Sequence, residues 1–230
     1  MRTQHFTKRA QGLTWIEVVM VVAVLGLLAV VVLLPTLSRG CGGGTSQRIN
    51  CINNLKQIGL GFRLFANDND GRFPSSTNDA VQAWSFINEL RNELSSPRVL
   101  ICPADTNRSA HARNSPTDFE SMENGKPATN NFSHLTNRDR SLSYFVGLDA
   151  NETNTQMILT GDRNLMMEPR PSGNIWTLST NNSVGWTEKI HNKQGNLGVA
   201  DGSVLQMTNH KLIEQLRNTG DTTNRIVMPR

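Results

Sequence analysis

His191 is followed by nine residues and then by Asp201 and Gly202. An aspartate can orient a histidine for general-base work, but that chemistry also needs a nucleophile in its own setting. The chain has no Gly-x-Ser-x-Gly elbow and no His-Glu-x-x-His helix. An aspartate in an Asp-Gly turn already bonds its own backbone. We therefore expect His191 to hydrogen-bond near that turn and hold a sheet edge, with no catalytic residue and no enzymatic activity. Gly161-Asp162-Arg163-Asn164 reads in the same way, as a polar turn after a strand with an ion pair. The three cysteines, Cys41, Cys51 and Cys102, form no Cys-x-x-Cys step and no Cys/His cluster, so neither zinc nor another cofactor is expected. Asp68-Asn69-Asp70-Gly71 is rich in oxygen donors. Setting Gly71 at the glycine of an EF-hand loop puts Ala66 first and Thr77 last, where an oxygen ligand and a glutamate are required. The run reads instead as a helix-ending turn.

A different chemistry is written at Glu17. This acid stands at the mouth of Val18 to Leu34, 17 residues without a charge. Ile16 to Leu34 would form a helix of ~28 Å, against a hydrocarbon core of about 30 Å. A carboxylate near a bilayer centre costs roughly 2.5–3.5 kcal/mol, which a partner in an assembly would offset. Lys8 and Arg9 precede the run and predict a cytoplasmic N-terminus with the C-terminal bulk exported. Two other readings stay open. The run can be a plain signal anchor with Glu17 snorkelling to the headgroups. Ser38-Arg39-Gly40-Cys41 can be a degraded lipoprotein box, with lipid at Cys41 anchoring a periplasmic binding or enzyme domain.

Gly12-Leu13-Thr14-Trp15-Ile16-Glu17, behind the basic leader, resembles the type IV prepilin family, which includes the pseudopilins of type II secretion. Leu13 replaces the phenylalanine usual in the family, Trp15 is bulkier than usual, and Pro35 falls where such helices commonly carry a proline. The resemblance implies cutting after Gly12 by a prepilin peptidase and methylation of the new amine on Leu13. It also implies that Glu17 meets the N-terminal amine of a neighbouring subunit. Sister pilins, an inner-membrane platform and its assembly ATPase would be the other partners. A second signature runs from Cys51-Ile52-Asn53-Asn54-Leu55-Lys56-Gln57-Ile58-Gly59-Leu60 to Gly71-Arg72-Phe73-Pro74. With His191, Asp201 and Gly202 it resembles pseudopilin-like proteins bearing a C-terminal His-x9-Asp-Gly element. Major pseudopilins bind calcium in their heads, so a calcium site of another kind is carried by resemblance alone.

The implied fold is α+β: a long N-terminal hydrophobic helix, then a globular head with an antiparallel sheet. The expected organisation is a leader at 1–12, a transmembrane and assembly helix at 13–36, and a glycine-rich hinge with the start of a second helix segment at 37–50. The head follows at 51–230, with its His-x9-Asp-Gly hairpin at 191–202. The protein would sit in the inner membrane as a single-pass protein, head periplasmic, and then in the fibre. The formal charge of +4 and pI of 9.3 invite a nucleic-acid reading. Residues 1–12 hold three of the basic residues and no acid, so cleavage leaves +1, and no basic stripe interleaved with aromatics remains. Nucleic acid is not an expected partner. In an oxidising exterior Cys51 and Cys102 are the preferred disulfide, with three free thiols as the alternative.

Ile52, Leu55, Ile58, Phe62 and Phe65 recur at helical spacing. Val81, Trp84, Ile87, Leu90 and Leu94 suggest a second helix ended by Pro97. Val99 to Pro103 reads as extended, and 105–140 as a long polar surface loop. Strands are expected at 141–146, 156–160, 175–178 and 196–200. Asp201-Gly202 signals a two-residue hairpin pairing Val199 with Val204, and a helix over 211–218 closes the chain.

Overall fold

The computed structural model describes residues 14–37, 43–74, 81–112 and 116–230. Gly12, Leu13 and Cys41 lie outside the described residues. The chain divides into two compact units, Met1–Gly43 and Gly44–Arg230.

In the first unit, helix α1 spans Trp15–Leu37. The Thr14 backbone N–H and Oγ1 both donate to Glu17 Oε2, at 2.7 and 2.9 Å. The Glu17 carboxylate thereby satisfies a backbone donor that would otherwise be orphaned at the helix start. Every described side chain of α1 is exposed, from Trp15 at 84 % to Leu27 at 69 % and Val30 at 56 %.

The expected long membrane-crossing helix is not found. No helix among the described residues is long and apolar enough to cross a membrane. Helix α1 holds Glu17 in its first turn. The next helix, α2 at Gly43–Asp68, is longer but mixes Arg48, Lys56, Arg63 and Asp68 with its apolar residues. The fold expectation is corrected accordingly: the antiparallel sheet is present, but among the described residues no helix is long and apolar enough to cross a membrane, which does not fit a single-pass span. Within 37–50, α2 begins at Gly43.

The second unit is built around α2 and a sheet. On α2, Cys51, Leu55, Ile58, Phe62 and Ala66 fall at steps of three or four and are all buried, the stripe of a helix packed on one face. Helix α3 (Ala83–Glu89) and α4 (Thr106–Ala112) follow. A small hairpin joins β1 (Met122–Glu123) to β2 (Lys126–Pro127). Then come β3 (Tyr144–Gly147), β4 (Ile158–Asp162), β5 (Leu165–Glu168), β6 (Ile175–Thr177), β7 (Ser183–Trp186), β8 (Gln194–Val199) and β9 (Val204–Thr208). Helix α5 (Asn209–Asn218) and strand β10 (Arg225–Val227) end the fold. Six strands form one antiparallel sheet in the order β6-β10-β3-β4-β8-β9, while β5 and β7 pair as a separate ribbon.

Both faces of this sheet are covered. Tyr144, Val146 and Leu159 face α2 and α3, packing with Leu55, Phe62, Ile87 and Leu90. Phe145, Ile158, Leu197 and Val199 face the other way, toward Trp186 of the ribbon and Leu212 and Leu216 of α5. Burial on both sides explains why β3 and β4 are buried at nearly every position.

Several local expectations shift. The extended segment at 99–103 begins as a 3-10 turn, Pro97–Leu100, and is extended only from Ile101. The polar stretch 105–140 is not a simple surface loop: it carries α4 and buries Asp105, Asn131, Phe132, Asn137 and Asp139. The hairpin after β8 has three loop residues rather than two. Gly202 N–H donates to Val199 C=O at 2.9 Å, and Val199 N–H to Ser203 C=O at 3.0 Å. Val204 therefore pairs with Gly198, not with Val199. Gly202 has φ +84°, the αL residue that turns a three-residue hairpin loop back into the ladder.

Candidate functional site

His191 and Asp201 are not partners. Asp201 is exposed, and its Oδ1 accepts from Ser203 N–H at 2.7 Å within the turn. His191 is buried and faces the middle of the head, with Nε2 3.5 Å from Cys102 Sγ and 3.4 Å from Asp162 Oδ2. Cys51, in the buried stripe of α2, is joined to Cys102 by a disulfide with Cα atoms 4.9 Å apart.

Asp162 ends β4 and is wholly buried. Its Oδ2 accepts from the backbone N–H of Asn196 at 2.7 Å and from Asn196 Nδ2 at 2.9 Å, across the β4–β8 ladder. Its Oδ1 has no hydrogen-bond partner among the described residues. Burial pushes the Asp162 carboxyl up to about 7, against the pull of the Asn196 hydrogen bonds. Burial, with the Arg48 charge, lowers His191 to about 4. The 3.4 Å approach thus sets an imidazole that burial keeps neutral beside a carboxyl that burial biases toward its protonated form, although its geometry is that of a salt bridge. Tyr144 is raised well above its ordinary value by burial and then by the Asp162 charge.

A second buried acid lies three residues beyond Cys102. Asp105 is gripped in bidentate fashion by Arg163, Nε to Oδ2 at 2.6 Å and Nη2 to Oδ1 at 2.7 Å. Ser143 Oγ adds a hydrogen bond at 3.0 Å. Adjacent residues 162 and 163 thereby serve two different acid-centred networks. The turn reading of 161–164 named the ion-pair residue but not its partner, and Asp162 itself belongs to the strand.

The hairpin of Asp201 and Gly202 is fastened to α2. Arg63 Nη1 donates to Asp201 C=O at 3.0 Å. A Cβ placed on Gly59 would lie 3.4 Å from Gly202 Cα, so helix and turn touch backbone to backbone. At the other end of β8, Arg48 donates to Gln194 Oε1 and, at 2.7 Å, to His191 C=O. Arg48 and Arg63 are ~22 Å apart along a helix, close to the ~20 Å length of a six-residue strand. The His-x9-Asp-Gly element is thus a strand whose two ends are tied to one helix.

Cys51 Sγ, Cys102 Sγ and His191 Nε2 lie within 4.8 Å of one another, a set that would suit a soft metal ion. A thiolate is the species that ligates metal, and these sulfurs are bonded to each other. No converging set of carboxylates for calcium is found among the described residues. Asp68-Asn69-Asp70-Gly71 closes α2: Gly71 N–H bonds Ala66 C=O at 2.8 Å and Asn69 Nδ2 bonds Phe65 C=O at 2.8 Å.

Sequence reading passed over Arg48, Asp105 and Asn196. The one available signal was Asp105, which closely follows Cys102-Pro103 and sits where a helix N-cap is expected. Comparison with known protein families, curated proteins and solved structures found no match for this chain.

Proposed function

We propose that this chain is a structural, pilin-like subunit of a type II secretion pseudopilus or a type IV pilus-like fibre. A prepilin peptidase cuts after Gly12 and methylates the amine of Leu13. The mature subunit then docks through α1 against sister pilins, driven by an inner-membrane platform and its ATPase. The head lies in the periplasm and afterwards in the fibre.

One observation carries this reading: the uncovered apolar surface of α1, from Trp15 and Ile16 to Leu28 and Val30. Exposed apolar patches of more than a few hundred Å² mark surfaces that another molecule covers. Packing against kindred helices covers this surface without requiring any one helix to cross a bilayer. Glu17 at its start gives the packing a register, because an acid in a low-dielectric bundle selects the one offset that brings a cation to it.

The test is mass spectrometry of the first peptide of the protein taken from cells. N-methyl-Leu13 is expected. A chain that keeps Met1 and remains solitary, or one that begins at a lipid-bearing Cys41, overturns the proposal.

A further inference from the structure

Beside the Asp105–Arg163 pair the head surface opens into a depression of about 360 Å³ lined by Asn107, Arg108, Arg140, Arg163 and Arg230. Four guanidinium groups face two nearby acids, Asp105 and Asp139, both buried. Asp105 is taken by Arg163. Asp139 is taken by backbone, accepting from Trp84 N–H at 2.9 Å and Arg230 N–H at 3.1 Å. Among the described residues Arg140 and Arg230 have no ion-pair partner. The four guanidinium groups outnumber the acidic groups around them, which are Asp105, Asp139 and the terminal oxygen of Arg230 that accepts from Arg108.

Gathering like charges is unfavourable unless an anion shares the space. Burial and the Arg163 charge both hold Arg108 below its ordinary range. Two of the arms are already set: Arg163 by its bidentate grip on Asp105, and Arg108 by donating Nη2 to Arg230 C=O at 2.5 Å. Arg140 is exposed and uncommitted.

We propose that this four-arginine depression binds a dianionic tetrahedral oxyanion, either inorganic phosphate or the phosphate of a monoester. Planar guanidinium forks match phosphate oxygens two at a time, and an anion there offsets the surplus positive charge. A larger cavity of about 590 Å³ adjoins it, sharing Asn107 and Arg163 and offering Leu165, Met167 and Trp176. The organic part of an ester has room there. This site does not depend on whether the chain assembles into fibres.

The experiment is calorimetric titration of the full chain with inorganic phosphate and with phenyl phosphate at constant ionic strength. Saturable binding of one ion per chain is expected. Arg140→Gln should weaken it about tenfold, the loss of one charged hydrogen bond. Arg217→Gln, on the exposed side of α5, should leave it unchanged. Tighter binding of phenyl phosphate supports the site and identifies an ester as the ligand. Equal or weaker binding supports the site with the free ion as ligand. No saturable binding of either compound, or an Arg140→Gln protein that binds like the parent, overturns the proposal.

Discussion

Burial lifts Asp162 to about 7 and lowers His191 to about 4, from ordinary values of 3.8 and 6.5. The two shifts have opposite consequences for stability. A raised acid contributes stability fully below pH 3.8 and loses it as pH rises through about 7. A lowered histidine contributes above pH 6.5 and loses it as pH falls through about 4. Between about pH 4 and 6.5 the folded form holds one extra proton on Asp162 and one fewer on His191, and the two effects cancel. We expect the parent protein to show little pH dependence from this pair in that window. His191→Gln should uncover a fall in stability with rising pH, about 1.4 kcal/mol per unit. Asp162→Asn should uncover a rise of similar slope. Urea denaturation at stepped pH checks both, and identical profiles for the three proteins would refute the pairing. The neighbouring disulfide closes a loop of 51 residues, for which chain entropy predicts about 4 kcal/mol of stabilisation. Cys51→Ala with Cys102→Ala should lower the urea midpoint accordingly.

At the scale of elements, two glycines make sharp predictions. An alanine Cβ at Gly195 would collide with the Trp186 ring, and overpacking of this kind costs about 1–3 kcal/mol. Gly202 has φ +84°, so Gly202→Ala should cost about 1–2 kcal/mol. Calorimetric melting measures both. Hydrogen exchange should show the second loss confined to the ends of β8 and β9. The stripe on α2 was legible because helical spacing and burial coincide at Cys51, Leu55, Ile58 and Phe62. Parts of β3, β4, β6 and β8 were legible as apolar runs. β5 and β7 were not, since Ser183-Val184-Gly185-Trp186 carries two small residues and pairs outside the main sheet. β10 was hidden in the last residues of the chain. The segment 105–140 misled because its polar residues serve its own backbone: Asn137 Nδ2 reaches Thr129 C=O and Asn131 C=O, at 2.9 and 2.6 Å. Hydropathy reads such a segment as wet. The place of His191 was illegible for a related reason, because Asp162 and Cys102 meet it only after three distant strands and loops have packed.

At the scale of the molecule, Glu17 has two tasks that substitutions can separate. It accepts the Thr14 backbone N–H at the start of the helix, and it is the proposed register charge of the fibre. Glu17→Gln keeps an oxygen that can accept that N–H but removes the charge. Thr14→Ala removes the hydroxyl's hydrogen bond to Glu17, worth about 1 kcal/mol, and leaves the charge in place. Fibre yield, read by electron microscopy and by shearing of cells, should collapse for Glu17→Gln and survive for Thr14→Ala. The reverse order would mean that Glu17 acts only as a cap.

The disulfide has a mechanical consequence. Tension entering the head through the N-terminal end of α2 meets Cys51 after eight residues of that helix. From there the load passes through covalent bonds to Cys102, in the middle of the head, and the chain between the two sulfurs stays slack. Roughly 170–180 Å of extensible length is therefore locked away. In a single-molecule pulling experiment, reduction should release that length as an added step, and the oxidised head should yield without it.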